Sequence, residues 1–322
     1  MQLIEPETAG DPMSQQKWMR SSLRNLSQCL ADLGHRISPP TIARLLRKLG
    51  YSLRVNVKKQ EASATHPERN TQFEYIKTLK EDFQAAKCPI ISVDTKKKEL
   101  VGNFKNAGRA WKERPEDVNA HDFPGEAVGK AVPYGIYDVL RKCGTVYVGS
   151  SADTPEFAVA ALARWWEEEG CLAYPDAKQI LILADSGGSN GCRPRLWKQQ
   201  LQEHFSDHYG MTVVVAHYPT GCSKWNPIEH RLFSQISQNW AGIPLRSFET
   251  ILNYIGGTST QTGLTLRASL LEGEYVKGQK VSDKQMQQLN IEFAQVCPRW
   301  NYTLRPHPQI PPEADLEPEV IF

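Results

Sequence analysis

Two apolar runs constrain this chain more than anything else in it: Pro89-Ile-Ile-Ser-Val-Asp94 and Gln179-Ile-Leu-Ile-Leu-Ala-Asp185. Neither alternates polar with apolar residues, and the first is rich in β-branched side chains, so both read as strands buried inside a sheet. Each run ends on an acid. Further strands are expected over 131–137, 145–151 and 211–217, with helical patterns at 154–169, 193–206 and 227–240. Three early strands followed by helix, strand, helix, strand and helix make a mixed α/β order, which is also the order of a ribonuclease-H-like fold.

A third acid, Glu229, follows Ser-Lys-Trp-Asn-Pro-Ile. Asn226 reads as an N-cap and Pro227 as a first-turn proline, which puts Glu229 at a helix start. Taken singly, each acid also reads as a turn or helix-cap residue. Taken together, acids at two strand ends and a helix start can converge. Converging carboxylates repel by about 1–4 kcal/mol per close pair at a partly wet site. They persist as anions beside a hard cation such as Mg²⁺ or Mn²⁺. Phosphoryl transfer on nucleic acid uses such a site. Lys96, Lys97 and Lys98 follow Asp94, Gly187 and Gly188 follow Asp185, and Lys224, Trp225 and Asn226 precede Glu229. All are candidate nucleic-acid contacts: cations for phosphates, glycines for a close backbone approach, and an indole to stack a displaced base.

The net charge of +2 conceals an asymmetry. Between Lys17 and Lys59 stand ten Lys/Arg and one acid, a local +9 that leaves −7 for the rest of the chain. In that segment a helix is expected from Lys17 to Leu33, stopped by Gly34. A second, opened by Ser38-Pro39-Pro40, places Arg44, Arg47 and Lys48 opposite its apolar side. This is a helix-turn-helix pattern aimed at a polyanion. The organisation expected is a flexible lead over 1–16, the all-α helix-turn-helix domain over 17–55 and a linker over 56–70. A catalytic domain over 71–244 follows, then a C-terminal appendage and tail over 245–322. The 322 residues contain no apolar run near the ~20 needed to span a bilayer, no signal peptide, and seven scattered cysteines that read as reduced thiols. The expectation is a cytoplasmic protein without a membrane partner.

Three strings carry a resemblance. They are Val93-Asp-Thr-Lys-Lys-Lys-Glu-Leu-Val-Gly-Asn-Phe-Lys-Asn-Ala-Gly-Arg109, then Ala184-Asp-Ser-Gly-Gly-Ser-Asn-Gly191, then Ser223-Lys-Trp-Asn-Pro-Ile-Glu-His-Arg-Leu-Phe-Ser234. With Tyr134-Gly-Ile-Tyr-Asp138, Trp165-Trp166, Thr262-Gly-Leu264 and Trp300-Asn-Tyr-Thr303, the chain resembles the Rhodopirellula-type DDE transposases of bacterial insertion sequences. The resemblance implies a catalytic, metal-binding triad of Asp94, Asp185 and Glu229 with two Mg²⁺ or Mn²⁺ ions. It further implies terminal-repeat and target double-stranded DNA as partners, a nucleoid-associated location and a homodimer or higher assembly on DNA. The family carries further sequence ahead of the segment matching Glu5-Pro-Glu-Thr8, so a second expectation is a shortened copy acting at most as a DNA-binding regulator. A third is a nuclease of the same fold without strand transfer.

Overall fold

The computed structural model describes residues 8–10, 17–19, 22–51, 67–110, 113–121, 124–260 and 263–308. Internal contacts divide the chain into Met1–Lys59 and Gln60–Phe322. In the first unit β1 (Thr8–Gly10) pairs antiparallel with β2 (Lys17–Met19), followed by α1 (Leu23–Asp32) and α2 (Pro39–Lys48). The helix expected from Lys17 therefore starts at Leu23. Ser22 is its cap, accepting the Asn25 N–H at 3.1 Å, and Lys17–Met19 is strand. A lead over 1–16 is thus interrupted by β1; its other residues lie outside the described residues, as do 52–55 at the end of the expected helix-turn-helix domain and 56–66 of the expected linker. Leu26, Ile42 and Leu46 form the core between the two helices. Arg44, Arg47 and Lys48 are exposed on α2.

The second unit begins with α3 (Arg69–Ala85) and is organised by one sheet. Its strands are β3 (Ile90–Thr95), β4 (Glu99–Val101), β5 (Gly129–Asp138), β6 (Cys143–Gly149), β7 (Gln179–Asp185) and β8 (Thr212–Tyr218). Then come β9 (Thr265–Leu270), β10 (Ile291–Phe293) and β11 (Asn301–Leu304). The order across the sheet is β10-β11-β8-β7-β3-β5-β6-β9, with β4 on β5. The strand β5 runs antiparallel to both β3 and β6, whereas β7 runs parallel to both β3 and β8. The five central strands, taken in chain order, thus lie third-second-first-fourth-fifth, a ribonuclease-H-like mixed sheet.

Both faces of that sheet are covered, which is why its central strands do not alternate. Ile91, Val93, Ile182 and Ala184 pack with Phe157 and Trp165 of α4 (Pro155–Trp165) and with Trp197, Leu201 and Phe205. Ile90, Leu181 and Leu183 pack the other way, with Ile76 and Phe83 of α3. Val146 and Val148 meet Ile228, Leu232 and Ile236 of the helical segment after Pro227.

The chain beyond residue 244 is not an appendage. β9 pairs with β6 at one edge and β11 with β8 at the other, so 265–304 extends the sheet at both ends. A short helix, Asp283–Gln287, precedes the strand Ile291–Phe293. Its partner Tyr302-Thr303-Leu304 is a hairpin contact that a short apolar run does not announce.

Candidate active site

The sheet brings the two strand-end acids side by side. β3 and β7 are parallel neighbours with Val93 opposite Ala184, so the next residues, Asp94 and Asp185, end adjacent strands. Side chains alternate between faces along a strand. With Val93 and Ala184 in the α4-side core, Asp94 and Asp185 both belong to the opposite face, where the Pro227 helix begins.

Asn226 ties the third acid to them. Wholly buried, it donates through Nδ2 to Asp185 Oδ1 at 3.0 Å, and its Oδ1 accepts from the Ser92 hydroxyl. The Ser92 oxygen in turn accepts the Ile228 N–H at 3.1 Å, and the Asn226 carbonyl accepts the Glu229 N–H at 3.1 Å. One strand serine thus fastens the start of the Glu229 helix to the strand of Asp94. Ser92 also supplies the helix start with a bond that a capping Asn226 side chain would have made. Glu229 opens a wide i→i+5 turn, Glu229–Phe233, a distortion that recurs at functional sites.

The electrostatics are those of acids short of counter-charge. Asp94 is pushed up to about 8, first by burial and then by the neighbouring Asp185 charge; the Thr95 N–H at 2.7 Å opposes this, and Glu229 and Asp153 add to it. Asp185 is pushed up to about 6 by burial and by Glu229, against the Asn226 bond. Burial raises Glu229 too, with Lys96 and His230 opposing.

A cavity of about 330 Å³ opens on the pair, lined by Asp94, Asp185, Gly187, Gly188, Thr220 and Ser223 among others. Gly188 has φ +82°, a left-handed conformation that suits glycine. The loop is held from below: Ser186 donates to the Tyr218 carbonyl at 2.6 Å, and the Asn190 amide to the Val93 carbonyl at 3.3 Å. His217 sits between the carbonyls of Asn190 and Trp300 at 3.0 and 2.9 Å. A larger cavity of about 630 Å³ shares Gly188 and is walled by Thr154, Leu196 and Val281, but it does not bring the paired acids together.

The donor chemistry fits a hard divalent cation, since Asp94 and Asp185 present carboxylate oxygens to one cavity and charge each other unfavourably. Among the described residues, however, no three His, Cys, Asp or Glu side chains come together as one metal-holding group. Glu229 acts on both aspartates through space.

The remaining expected contacts divide. Lys96 turns inward. It pairs with Glu99 at 3.6 Å and lies 4.6 Å from the Trp240 ring centroid, buried because its N–H still bonds to the Pro133 carbonyl and keeps it in the sheet's alternation. Lys98 pairs with Asp153 at 3.0 Å, which also accepts from the Thr95 hydroxyl. Only Lys97 of the three is fully exposed. Gly187, Gly188, Lys224 and Trp225 are exposed, whereas Asn226 is consumed by the acid network and has no face for DNA. Ser92, Asn190 and His217 were not among the expected site residues. The signal for Ser92 was present: a lone hydroxyl inside an apolar strand, which must find a buried partner.

A family model described as the Rhodopirellula transposase DDE domain matches residues 1–306. No curated protein sequence matches the chain. Among solved structures, a Mos1 transposase paired-end complex with left transposon end is 14% identical, with 72% of this chain and 64% of that one covered and a TM-score of 0.42. The Mos1 strand transfer complex is 14% identical over 74% and 67%, with a TM-score of 0.44. A Mos1 mariner paired end complex with Mn is 16% identical over 72% and 64%, with a TM-score of 0.41. The chain thus spans just under two thirds of the first of these.

Proposed function

The chain belongs to the Rhodopirellula transposase DDE-domain family, and from that premise we propose that it cuts and joins DNA with Asp94, Asp185 and Glu229 as its catalytic acids. The observation that carries the reading is the strand-end pair: two carboxylates on one face of adjacent strands, raised by burial and by each other, opening on a glycine-lined cavity.

Asp94 and Asp185 are the residues to hold a divalent cation, and Glu229 is the one to help hold a second. Bound there, Mg²⁺ or Mn²⁺ supplies charge neutralisation and Lewis acidity at a phosphodiester. The chain's own residues do the rest. Asn226 fixes the Asp185 carboxylate, and Ser92 fixes both Asn226 and the helix that carries Glu229. Gly187 and Gly188 let the phosphate approach the backbone closely. Lys97 and Lys224 stand exposed for neighbouring phosphates, and Trp225 for a base. The reaction is hydrolysis at the element end, which frees a 3′-hydroxyl, then attack of that hydroxyl on a target phosphodiester with release of the target's own 3′-oxygen. Neither step needs a covalent enzyme intermediate.

In the first unit, Arg44, Arg47 and Lys48 of α2 are the candidate duplex contacts, the helix pair acting as a helix-turn-helix. Holding two element ends together calls for a dimer or larger assembly.

The test is Mg²⁺-dependent nicking and joining of DNA that carries the element's own terminal repeats. Wild type is expected to give 3′-hydroxyl ends and joined products, and Asp94→Ala neither. Equal nicking by Asp94→Ala would remove the triad. Metal-independent binding without nicking would make the chain a DNA-binding regulator, and cleavage without joining a nuclease.

A further inference from the structure

Trp225 is 53% exposed, a large aromatic surface to leave in water, and it does not stand alone. Its ring meets Phe73 of α3 edge-on, with centroids 5.9 Å apart and planes at 73°. Phe73 also meets Tyr218 at 6.0 Å, the residue paired with Asp185 across β7 and β8. Two cations lie along this row, one at Phe73 and one at Trp225. The Arg69 guanidinium is 5.7 Å from the Phe73 centroid, and the Lys224 ammonium is 5.8 Å from the Trp225 centroid. Among the described residues no carboxylate pairs with either cation, and Arg69 Nε is buried with no hydrogen-bond partner. The row also has an origin, because Ser223, two residues before Trp225, lines the acid cavity.

Packing alone accounts for Tyr218, which is buried, and for the inner part of Phe73, which is half-buried. It does not account for a half-exposed indole with Lys224 against its own ring and Arg69 against the next, two residues from a cavity that holds two acids. Aromatic faces with interleaved positive charge suit one ligand in particular, a nucleic-acid strand whose bases are not paired. Each base has a π-face to stack, whatever its identity, and the phosphates between bases meet the cations. A duplex hides its base faces and can use only the charges.

We propose that an unpaired DNA strand adjoining the reacting phosphodiester runs from the acid cavity over Lys224, Trp225, Phe73 and Arg69, with one nucleobase stacked on the Trp225 indole. This deepens the strand-cleavage reading and rests on it for the direction of the strand. It gives α3 a part in substrate binding besides its packing against the sheet. Asn226, locked beneath Trp225 by Ser92 and Asp185, keeps the near end of the track in register with the acids.

The test uses the full chain with EDTA present, so that binding is read without cleavage, and a single-stranded oligothymidylate as probe. The chain has eight tryptophans, so the signal is the difference between wild type and Trp225→Phe. Oligothymidylate should quench emission in wild type, and that part of the quenching should be missing from Trp225→Phe although the variant still binds. Trp225→Ala should weaken single-strand binding about 5- to 150-fold, the range expected for one stacked base. Arg69→Ala, a second variant away from the indole, should weaken it too and flatten its salt dependence. Affinity for a duplex of equal length should fall less in both. Unchanged Trp225 emission at saturating oligothymidylate, or wild-type single-strand affinity in Trp225→Ala, would overturn the track. Wild-type nicking in Mg²⁺, measured alongside, separates the two readings. Quenching without nicking keeps the track and removes strand cleavage, and nicking without quenching does the reverse.

Discussion

Asp138 and Asp94 lie at opposite ends of one ladder, where β3 pairs with β5 so that Ile91 faces Asp138 and Asp94 faces Gly135. Burial pushes both carboxyls up. What surrounds them differs. Asp138 accepts N–H bonds from Leu140 and Arg141, each at 3.0 Å, takes the Tyr174 hydroxyl at 2.9 Å and has the Arg141 guanidinium at 3.9 Å. Asp94 accepts one N–H, from Thr95, and its charged neighbours are Asp185, Glu229 and Asp153. The chain satisfies the acid that terminates a strand for the fold. It leaves the other repelled by its neighbours, which is costly for stability and useful only if that end of the ladder meets a cation.

The contrast is tested most strongly by removing the Asp94 charge. A carboxyl raised from 3.8 to about 8 keeps its proton in the fold while the unfolded chain sheds it, so stability falls as pH rises between those values. With metal chelated, Asp94→Asn should therefore be more stable than wild type at neutral pH, by about 2–4 kcal/mol, while nicking is lost. Urea midpoints at pH 6.5 and 8 would show it, since wild type should lose stability across that interval and the variant should lose less.

His217 adds a slope of opposite sign at lower pH. Burial depresses it from 6.5 to about 4, against the two carbonyls its ring nitrogens face. Its neutral form is built into the fold, so stability present above pH 6.5 is lost as pH falls toward 4, by about 2–3 kcal/mol. Denaturation of a His217→Asn variant over pH 4–6.5 should show that slope flattened.

At the satisfied end of the ladder, Asp138→Ala should destabilise by about 1–3 kcal/mol, because buried donors lose their acceptor. Its nicking rate per folded molecule should be unchanged. If nicking fell as it does for Asp94→Asn, the distinction between the two ends would be broken. Asn226→Ala should sharpen it from the other side: the fold persists, while nicking drops about 10- to 100-fold, as expected for a residue that orients a ligating carboxylate.

Much of this arrangement could be read before the structure. Uninterrupted β-branched and apolar runs mark buried strands, and an acid ending such a run is conspicuous because burial penalises it; Asp94 and Asp185 are found that way. Lys96 could not be assigned, because three lysines in a row look alike until the ladder's alternation sends one of them under Trp240. Asn226 reads as a cap from its place before Pro227, and only the approach of β3 and β7 turns its amide toward Ser92 and Asp185. The sheet strands beyond residue 244 were hidden for the same reason, since the partners of Thr265–Leu270 and Asn301–Leu304 lie far away in sequence.

On this reading of the site, a divalent cation completes the Asp94 end of the ladder. The most direct measurement is the thermal midpoint of wild type and Asp94→Asn, first stripped of metal and then titrated with Mg²⁺ or Mn²⁺. Binding to the folded state alone raises the midpoint with concentration. Wild type should rise, and Asp94→Asn should stay nearly flat. An equal rise in both proteins, or none in wild type, would contradict it.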